Sequence, residues 1–126
     1  MKKATVRVTS HFAGNLDAIE EFLLEADAPR AFSELLDDLF VETIPALEQF
    51  PHIGTDFFRR RPSSREASEL DSALRMRLGP QSALRELIRG DYLILYARRG
   101  NDIYLLAIKH HRQLSFDFPE SWDETP

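Results

Sequence analysis

Four consecutive side chains near the carboxyl end of the sequence, Lys109-His110-His111-Arg112, combine positive charge with groups that titrate near neutral pH. Cleavage of a phosphodiester needs cations that stabilise the charge of the transition state and a proton-transfer group with a pKa near 7. Lysine and arginine meet the first need, and either histidine meets the second. The cluster is therefore a candidate for phosphodiester chemistry. The alternative interpretation is a polar strand end that is hydrogen-bonded to the residues after it.

A second concentration of charge is Arg59-Arg60-Arg61, which stands before Pro62 in a segment without apolar periodicity. Such a segment predicts a loop. Three adjacent guanidinium groups can hold phosphates through paired hydrogen bonds. The same run is also typical of a solvated loop, or of a partner for acidic helices. These arginines are candidate binding residues, with the solvated loop as the alternative.

Several kinds of site are excluded by residues that the sequence lacks. It has no cysteine, so it forms no disulfide, no zinc–thiolate site and no cysteine nucleophile. Glycine-rich phosphate loops, nucleophile elbows and the helical His-Glu-x-x-His motif are also missing. In a regular strand, His110 and His111 point to opposite faces and do not converge on one metal ion. We expect no metal site and no cofactor.

The length and charge of the chain bound its organisation. Its 126 residues suit one core, and we assign residues 1–118 to a single domain and residues 119–126 to an acidic tail. Residues 1–50 carry ten acidic side chains against four basic ones, whereas residues 51–118 carry eight against twelve. A basic middle is compatible with a surface that faces a polyanion. The sequence shows no membrane span and no signal peptide, which predicts a cytoplasmic protein.

The first half of the sequence predicts one strand and two helices. Residues 4–9 alternate and are β-branched, as in a strand that Gly14 and Asn15 bring to an end. A helix then runs from Leu16 to Asp27-Ala28-Pro29. A longer helix follows, on the apolar stripe Phe32, Leu35, Leu36, Leu39, Phe40, Ile44 and Leu47, with Pro45 predicting a kink. The short link between the helices predicts an antiparallel hairpin.

The second half predicts a short helix and a meander of strands. Ser63-Ser64-Arg65-Glu66 matches a capping box, and Gly79-Pro80 would end the helix that it starts. Three strands follow at 83–89, 92–98 and 103–110, separated by short turns that contain glycine. The predicted fold is α+β: an N-terminal strand and a helical hairpin on one face of a mostly antiparallel sheet, with an extra short helix.

Three motifs in this order resemble the RelE/ParE family of bacterial type II toxins. They are the Leu-Arg-x-Leu strand from Leu84 to Leu87, the Tyr-x-x-x-Tyr strand from Tyr92 to Tyr96, and the strand end Ile108-Lys109-His110-His111-Arg112. The strand, the helical hairpin and Phe50-Pro51-His52-Ile53-Gly54 precede them as in the family. The resemblance covers residues 4–118 and implies a small α+β fold in a tight complex with a cognate antitoxin, whose tail is commonly acidic.

The resemblance also implies two kinds of target. RelE-like members cleave messenger RNA on the ribosome, whereas ParE-like members poison DNA gyrase without being hydrolases. Nucleases of the family carry an arginine directly after the first tyrosine of the Tyr-x-x-x-Tyr strand, and this sequence has Leu93 there. We therefore expect a ParE-like toxin, associated with plasmid stabilisation and growth inhibition, that binds a target such as gyrase.

Two alternatives remain open at this point. The first is a metal-independent endoribonuclease in which His111, Arg112, Lys109 and Arg85 would be catalytic. The second is a member of the family that is not toxic. If the chain is a ParE-like toxin, the candidate binding residues are Arg59, Arg60, Arg61 and His110. A homodimer is compatible with the sequence.

Overall fold

A computed structural model describes residues 3–56, 69, 72–73, 76 and 83–110. Strand β1 (Thr5–Val8) leads into helix α1 (Ser10–Glu25). Helix α2 (Pro29–Asp37), a π-helical segment (Asp38–Thr43) and helix α3 (Ile44–Gln49) then follow without a break. The remaining elements are the short strand β2 (Thr55–Asp56) and the strands β3 (Ala83–Arg89), β4 (Tyr92–Arg99) and β5 (Asp102–His110).

The strands form one five-stranded sheet in the order β1-β5-β4-β3-β2. Strands β2 to β5 pair antiparallel, and β1 pairs parallel with β5 at the edge. Gly90 and Gly100 lie at the turns before β4 and β5 with φ angles of 58° and 60°, a conformation that glycine adopts without strain. The predicted mostly antiparallel sheet and the α+β class are confirmed.

The helices cover one face of this sheet, and the main apolar core lies between the two layers. Phe12, Leu35, Leu39 and Leu47 come from the helical side and meet strand residues that include Ile94, Tyr96, Ile103, Leu105 and Ile108. The predicted stripe packs inward as expected at Leu35, Leu39 and Leu47. At Phe40 the prediction is wrong, because that side chain is 55% exposed.

Helix α1 begins six residues earlier than the sequence predicts. Thr9 is its N-cap: the Oγ1 atom accepts a hydrogen bond from the Phe12 N–H at 3.3 Å and donates one to the Leu105 carbonyl at 2.7 Å. Asn15, predicted to end the first strand, lies inside α1, where its Oδ1 atom accepts a hydrogen bond from the Ile108 N–H at 3.1 Å. The sheet thus supplies partners for the polar residues of the first turns. His11 lies buried in the first turn of α1.

The irregularity that Pro45 predicts takes the form of the π-helical segment. The Ile44 N–H donates to the Leu39 carbonyl, five residues back, so Pro45 enters at the start of a new α-helical stretch. Proline fits the first turn of an α-helix, and Pro45 is the second residue of α3. The predicted third helix and the acidic tail lie largely or wholly outside the described residues, although residues 69, 72, 73 and 76 are helical.

Candidate functional site

The loop between α3 and β2 is fixed to the sheet by the hydroxyl of Tyr96. This oxygen accepts a hydrogen bond from the Gly54 N–H at 2.9 Å and donates one to the Pro51 carbonyl at 3.0 Å. Burial raises the pKa of Tyr96, although the hydrogen bond with Gly54 and the charge of Arg85 act in the opposite direction. The hydroxyl therefore keeps its proton at neutral pH and serves both backbone groups at once.

Arg85, one of the four candidate catalytic residues, holds the same loop. Its guanidinium donates to the Gly54 carbonyl at 2.6 Å and to the His52 carbonyl at 3.4 Å. In the β3–β4 register Arg85 lies opposite Tyr96, so both side chains are on the face that carries the helices. The structure thus gives Arg85 a role in positioning a loop.

Lys109 lies on the other face of the sheet. In the β4–β5 register Lys109 lies opposite Leu93. The next residue, Ile94, points into the core, so Leu93 and Lys109 point away from the helices. Only 5% of Lys109 is exposed. Side chains on opposite faces of one sheet cannot act on the same group. Arg85 and Lys109 are therefore not brought together.

His110 returns to the face that carries the helices. It lies opposite Tyr92 in the β4–β5 register, and the two rings meet edge to face with centroids 5.6 Å apart. Burial, with the nearby charge of Asp91, raises the pKa of Tyr92. The other predicted site residues, His111, Arg112, Arg59, Arg60 and Arg61, lie outside the described residues.

A carboxylate–guanidinium pair that the sequence analysis missed joins the π-helical segment to β3. Arg89 donates to Asp38 through Nη2 at 2.6 Å and through Nε at 3.2 Å, and the Thr43 hydroxyl donates to the same carboxylate at 3.0 Å. The hydrogen bond from Arg89 lowers the pKa of Asp38 more than burial raises it. The two residues are 51 positions apart, and neither stands in a motif, so the sequence carried no signal for the pair.

Outside this pair, the helical layer presents an acidic surface with exposed apolar side chains. Besides Asp38, residues 10–49 carry nine carboxylates against the single arginine Arg30. Phe40 and Val41, adjacent in the π-helical segment, are 55% and 66% exposed. Among the described residues, no group of three or more His, Cys, Asp or Glu side chains is arranged to hold a metal ion. No described helix is both long and apolar enough to cross a bilayer.

Comparison with known proteins assigns the family. A profile described as the ParE toxin of the type II toxin–antitoxin system parDE matches residues 6–115. This chain belongs to the ParE toxin family. The predicted resemblance is confirmed, with the ParE branch favoured as expected, and membership implies an antitoxin as partner.

A solved structure shows the same fold. It is titled the chromosomal ParDE TA system from P. aeruginosa, and it aligns with a TM-score of 0.53 and 19% sequence identity. The alignment covers 86% of this chain and 96% of that chain. A search of curated proteins found no match. The α+β architecture is therefore shared with a protein of that system. At 19% identity the similarity shows the fold and does not assign a function.

Proposed function

We propose that this member of the ParE family inhibits growth by binding a cellular target, with DNA gyrase as the expected one, and that a cognate antitoxin neutralises it. The observation that carries the proposal is position 93. Where nucleases of the wider family place an arginine, this chain has Leu93, half-buried and paired with the buried Lys109. A leucine offers no charge to a scissile phosphate.

The placement of the other candidate residues supports the same conclusion. Arg85 is engaged with two backbone carbonyls of the Phe50–Gly54 loop, and Lys109 is on the opposite face of the sheet. Removing a charged hydrogen-bond donor from a phosphoryl site typically costs on the order of 10²-fold or more in rate. A protein that acts by binding its target does not need these charged side chains to meet at one point. Target and antitoxin would both meet this protein in the cytoplasm, and either complex is compatible with a homodimer.

The proposal is tested by expressing the chain without its antitoxin. We expect growth to slow without new codon-phased 5′ ends on translated messages, as measured by primer extension after induction. In parallel, the purified chain should inhibit supercoiling of plasmid DNA by purified gyrase. Phased 5′ ends together with unaffected gyrase would contradict the proposal. Normal growth with unaffected gyrase would favour a member that is not toxic.

A ribosome-dependent endoribonuclease is the second candidate, favoured by the run Lys109-His110-His111-Arg112. In that case His111→Ala and Arg112→Ala would each lower cleavage by at least about 10²-fold, the usual scale for a proton-transfer or charge-stabilising group. His52→Ala is the matched control, because His52 is exposed and its contact with Arg85 uses the backbone carbonyl. Equal losses in all three variants would indicate lost stability rather than lost chemistry.

A further inference from the structure

The outer side of the π-helical segment exposes two adjacent apolar side chains close to exposed carboxylates. Phe40 and Val41 are 55% and 66% exposed, while Leu39 and Thr43 of the same segment are only 1% exposed. Exposed single apolar residues are common on protein surfaces, so exposure alone does not indicate a partner. Here two large side chains are adjacent, and the exposed carboxylates Asp37 and Glu42 flank them in the sequence.

The backbone beneath these two side chains is held in place from the inside. Arg89 and the Thr43 hydroxyl both bind the Asp38 carboxylate, which ties the segment across its own turn and to β3. Leu39 is in the main core. A partner would therefore meet Phe40 and Val41 on a backbone that is already ordered, which reduces the entropy lost on binding. Pro45 accounts for the π-helical geometry, but it gives no reason for the two side chains to be apolar.

The charge around this surface restricts what can bind there. Residues 10–49 carry ten carboxylates against one arginine, and only Asp38 among those beside Phe40 and Val41 is bound by Arg89. This net negative charge disfavours nucleic acid, anionic lipid headgroups and the acidic tail expected of an antitoxin. The remaining complementary chemistry is a protein surface that combines lysine or arginine with apolar side chains. A protein that handles DNA has surfaces rich in such residues, since phosphate contacts are made by lysine and arginine.

We infer that Phe40 and Val41, with the carboxylates around them, form the surface through which this toxin docks onto a basic, apolar segment of its target. The inference rests on the proposed function for the identity of the occupant. It assigns the target and the antitoxin to different parts of the sequence. The acidic helical layer meets the target, and the basic stretch that begins at Arg59 is left for the antitoxin.

The surface chemistry is tested first with a synthetic probe, independently of toxicity. The probe is a fluorescent amphipathic peptide of leucine and lysine at helical spacing, titrated into the full chain at low salt. The variant is Phe40→Ser with Val41→Ser, and Ile88→Ser is the matched control, since Ile88 is 57% exposed on the other face of the sheet. We expect at least about tenfold weaker binding for the double variant and no change for the control, as for loss of central apolar contacts.

Two further peptides test separately the need for positive charge and the need for apolar side chains in the ligand. A leucine–glutamate peptide should not bind the wild-type chain, and a serine–lysine peptide should bind wild type and double variant equally weakly. Equal binding of the leucine–lysine peptide by wild type and double variant would overturn the inference. So would binding of the leucine–glutamate peptide as tight as that of the leucine–lysine one.

The second arm measures growth and antitoxin binding with the same variants. Phe40→Ser with Val41→Ser should relieve growth inhibition while antitoxin affinity stays within about threefold of wild type, a difference well below one tenfold step in affinity. Lost antitoxin affinity with growth inhibition intact would assign the surface to the antitoxin and overturn the inference. If the wild-type chain does not slow growth, the proposed function fails, whereas the peptide titration still decides whether the surface has the stated chemistry.

Discussion

Gly54 has a specific steric requirement at the point where the Phe50–Gly54 loop meets the sheet. A Cβ atom there would lie 2.8 Å from both Cε1 and the hydroxyl oxygen of Tyr96, and 3.0 Å from the Glu86 carbonyl. We expect Gly54→Ala to lower the free energy of unfolding by about 1–3 kcal/mol, as overpacking does. Gly14→Ala is the matched control: a Cβ at that helical position has no neighbour within 4 Å, so it should raise stability by up to about 1 kcal/mol. Urea denaturation measures both, and equal signs would contradict this account.

The Tyr96 hydroxyl satisfies two backbone groups of that loop, so its removal leaves both of them without this partner. We expect Tyr96→Phe to cost about 1–3 kcal/mol, the usual penalty for buried polar groups that lose a partner. Tyr104→Phe is the control, because the Tyr104 side chain is on the other face and makes no hydrogen bond within the part of the chain that the structure describes. Urea denaturation should give a near-zero change for that control. A Tyr96→Phe variant as stable as wild type would show that water replaces the hydroxyl.

At the scale of elements, Asp38 and Arg89 attach the π-helical segment to β3, and this attachment depends on pH. The pKa of Asp38 is lower in the folded chain than its ordinary value of 3.8, mainly because of the hydrogen bond from Arg89. The carboxylate therefore contributes stability at pH values above that ordinary value, and the contribution is lost as pH falls through the folded-state pKa. The side chains of Asp38 and Arg89 are both more than a third exposed, so solvent screening limits the contribution of this pair to the free energy of unfolding to about 1 kcal/mol or less.

We expect the difference in thermal midpoint between wild type and Asp38→Asn to be largest near neutral pH. It should shrink as the pH falls below the ordinary value of 3.8 and through the lower pKa of the folded chain. Thermal unfolding followed by circular dichroism from neutral to acidic pH measures this difference, and the subtraction cancels the titration of the other carboxylates. Asp37→Asn is the matched control, because Asp37 is the exposed neighbour of Asp38 in the sequence. A wild-type–to–Asp38→Asn difference that stays constant with pH would contradict the assigned role of the pair.

The elements that the sequence predicts well are those whose signals are local. Strand β3 has the predicted bounds, and β4 and β5 differ from prediction by one residue each, because glycine turns fix their ends. The start of α1 was wrong since Thr9 and Asn15 find partners on β5, about 90 residues away in the chain. The same physical reason hides the Asp38–Arg89 pair and the loop-holding role of Arg85: the partners are brought together only by tertiary structure.

On the scale of the whole molecule, the separation of charge along the sequence becomes a separation in the fold. The helical layer carries nearly all of its charge as carboxylates, whereas the strands β3 to β5 carry Arg85, Arg89, Arg98, Arg99 and Lys109 against two acidic residues, Glu86 and Asp102. The sequence predicted this polarity and the family. It could not predict which candidate residues converge, because Lys109 and Arg85 are on opposite faces only once the strands are in register.

Charge should guide an acidic antitoxin to one part of this molecule. An acidic antitoxin tail should be repelled by the helical layer and attracted by the basic stretch from Arg59 to Arg112, because such steering acts mainly on the association rate. We expect Arg59, Arg60 and Arg61 changed together to serine to slow association at low salt and leave the fold intact. Stopped-flow mixing with the antitoxin measures the rate.

The matched control removes the same charge from the acidic half, by changing Lys3, Arg7 and Arg30 to serine. If steering is local, this control associates nearly as fast as wild type, whereas an effect of net charge alone would slow both variants equally. Raising the salt concentration should make all three rates converge, because charges are screened beyond about 8 Å at physiological ionic strength. Identical rates for wild type and the Arg59–Arg61 variant at low salt would mean that the arginine run is a solvated loop, and the antitoxin would then be guided by another part of the basic stretch.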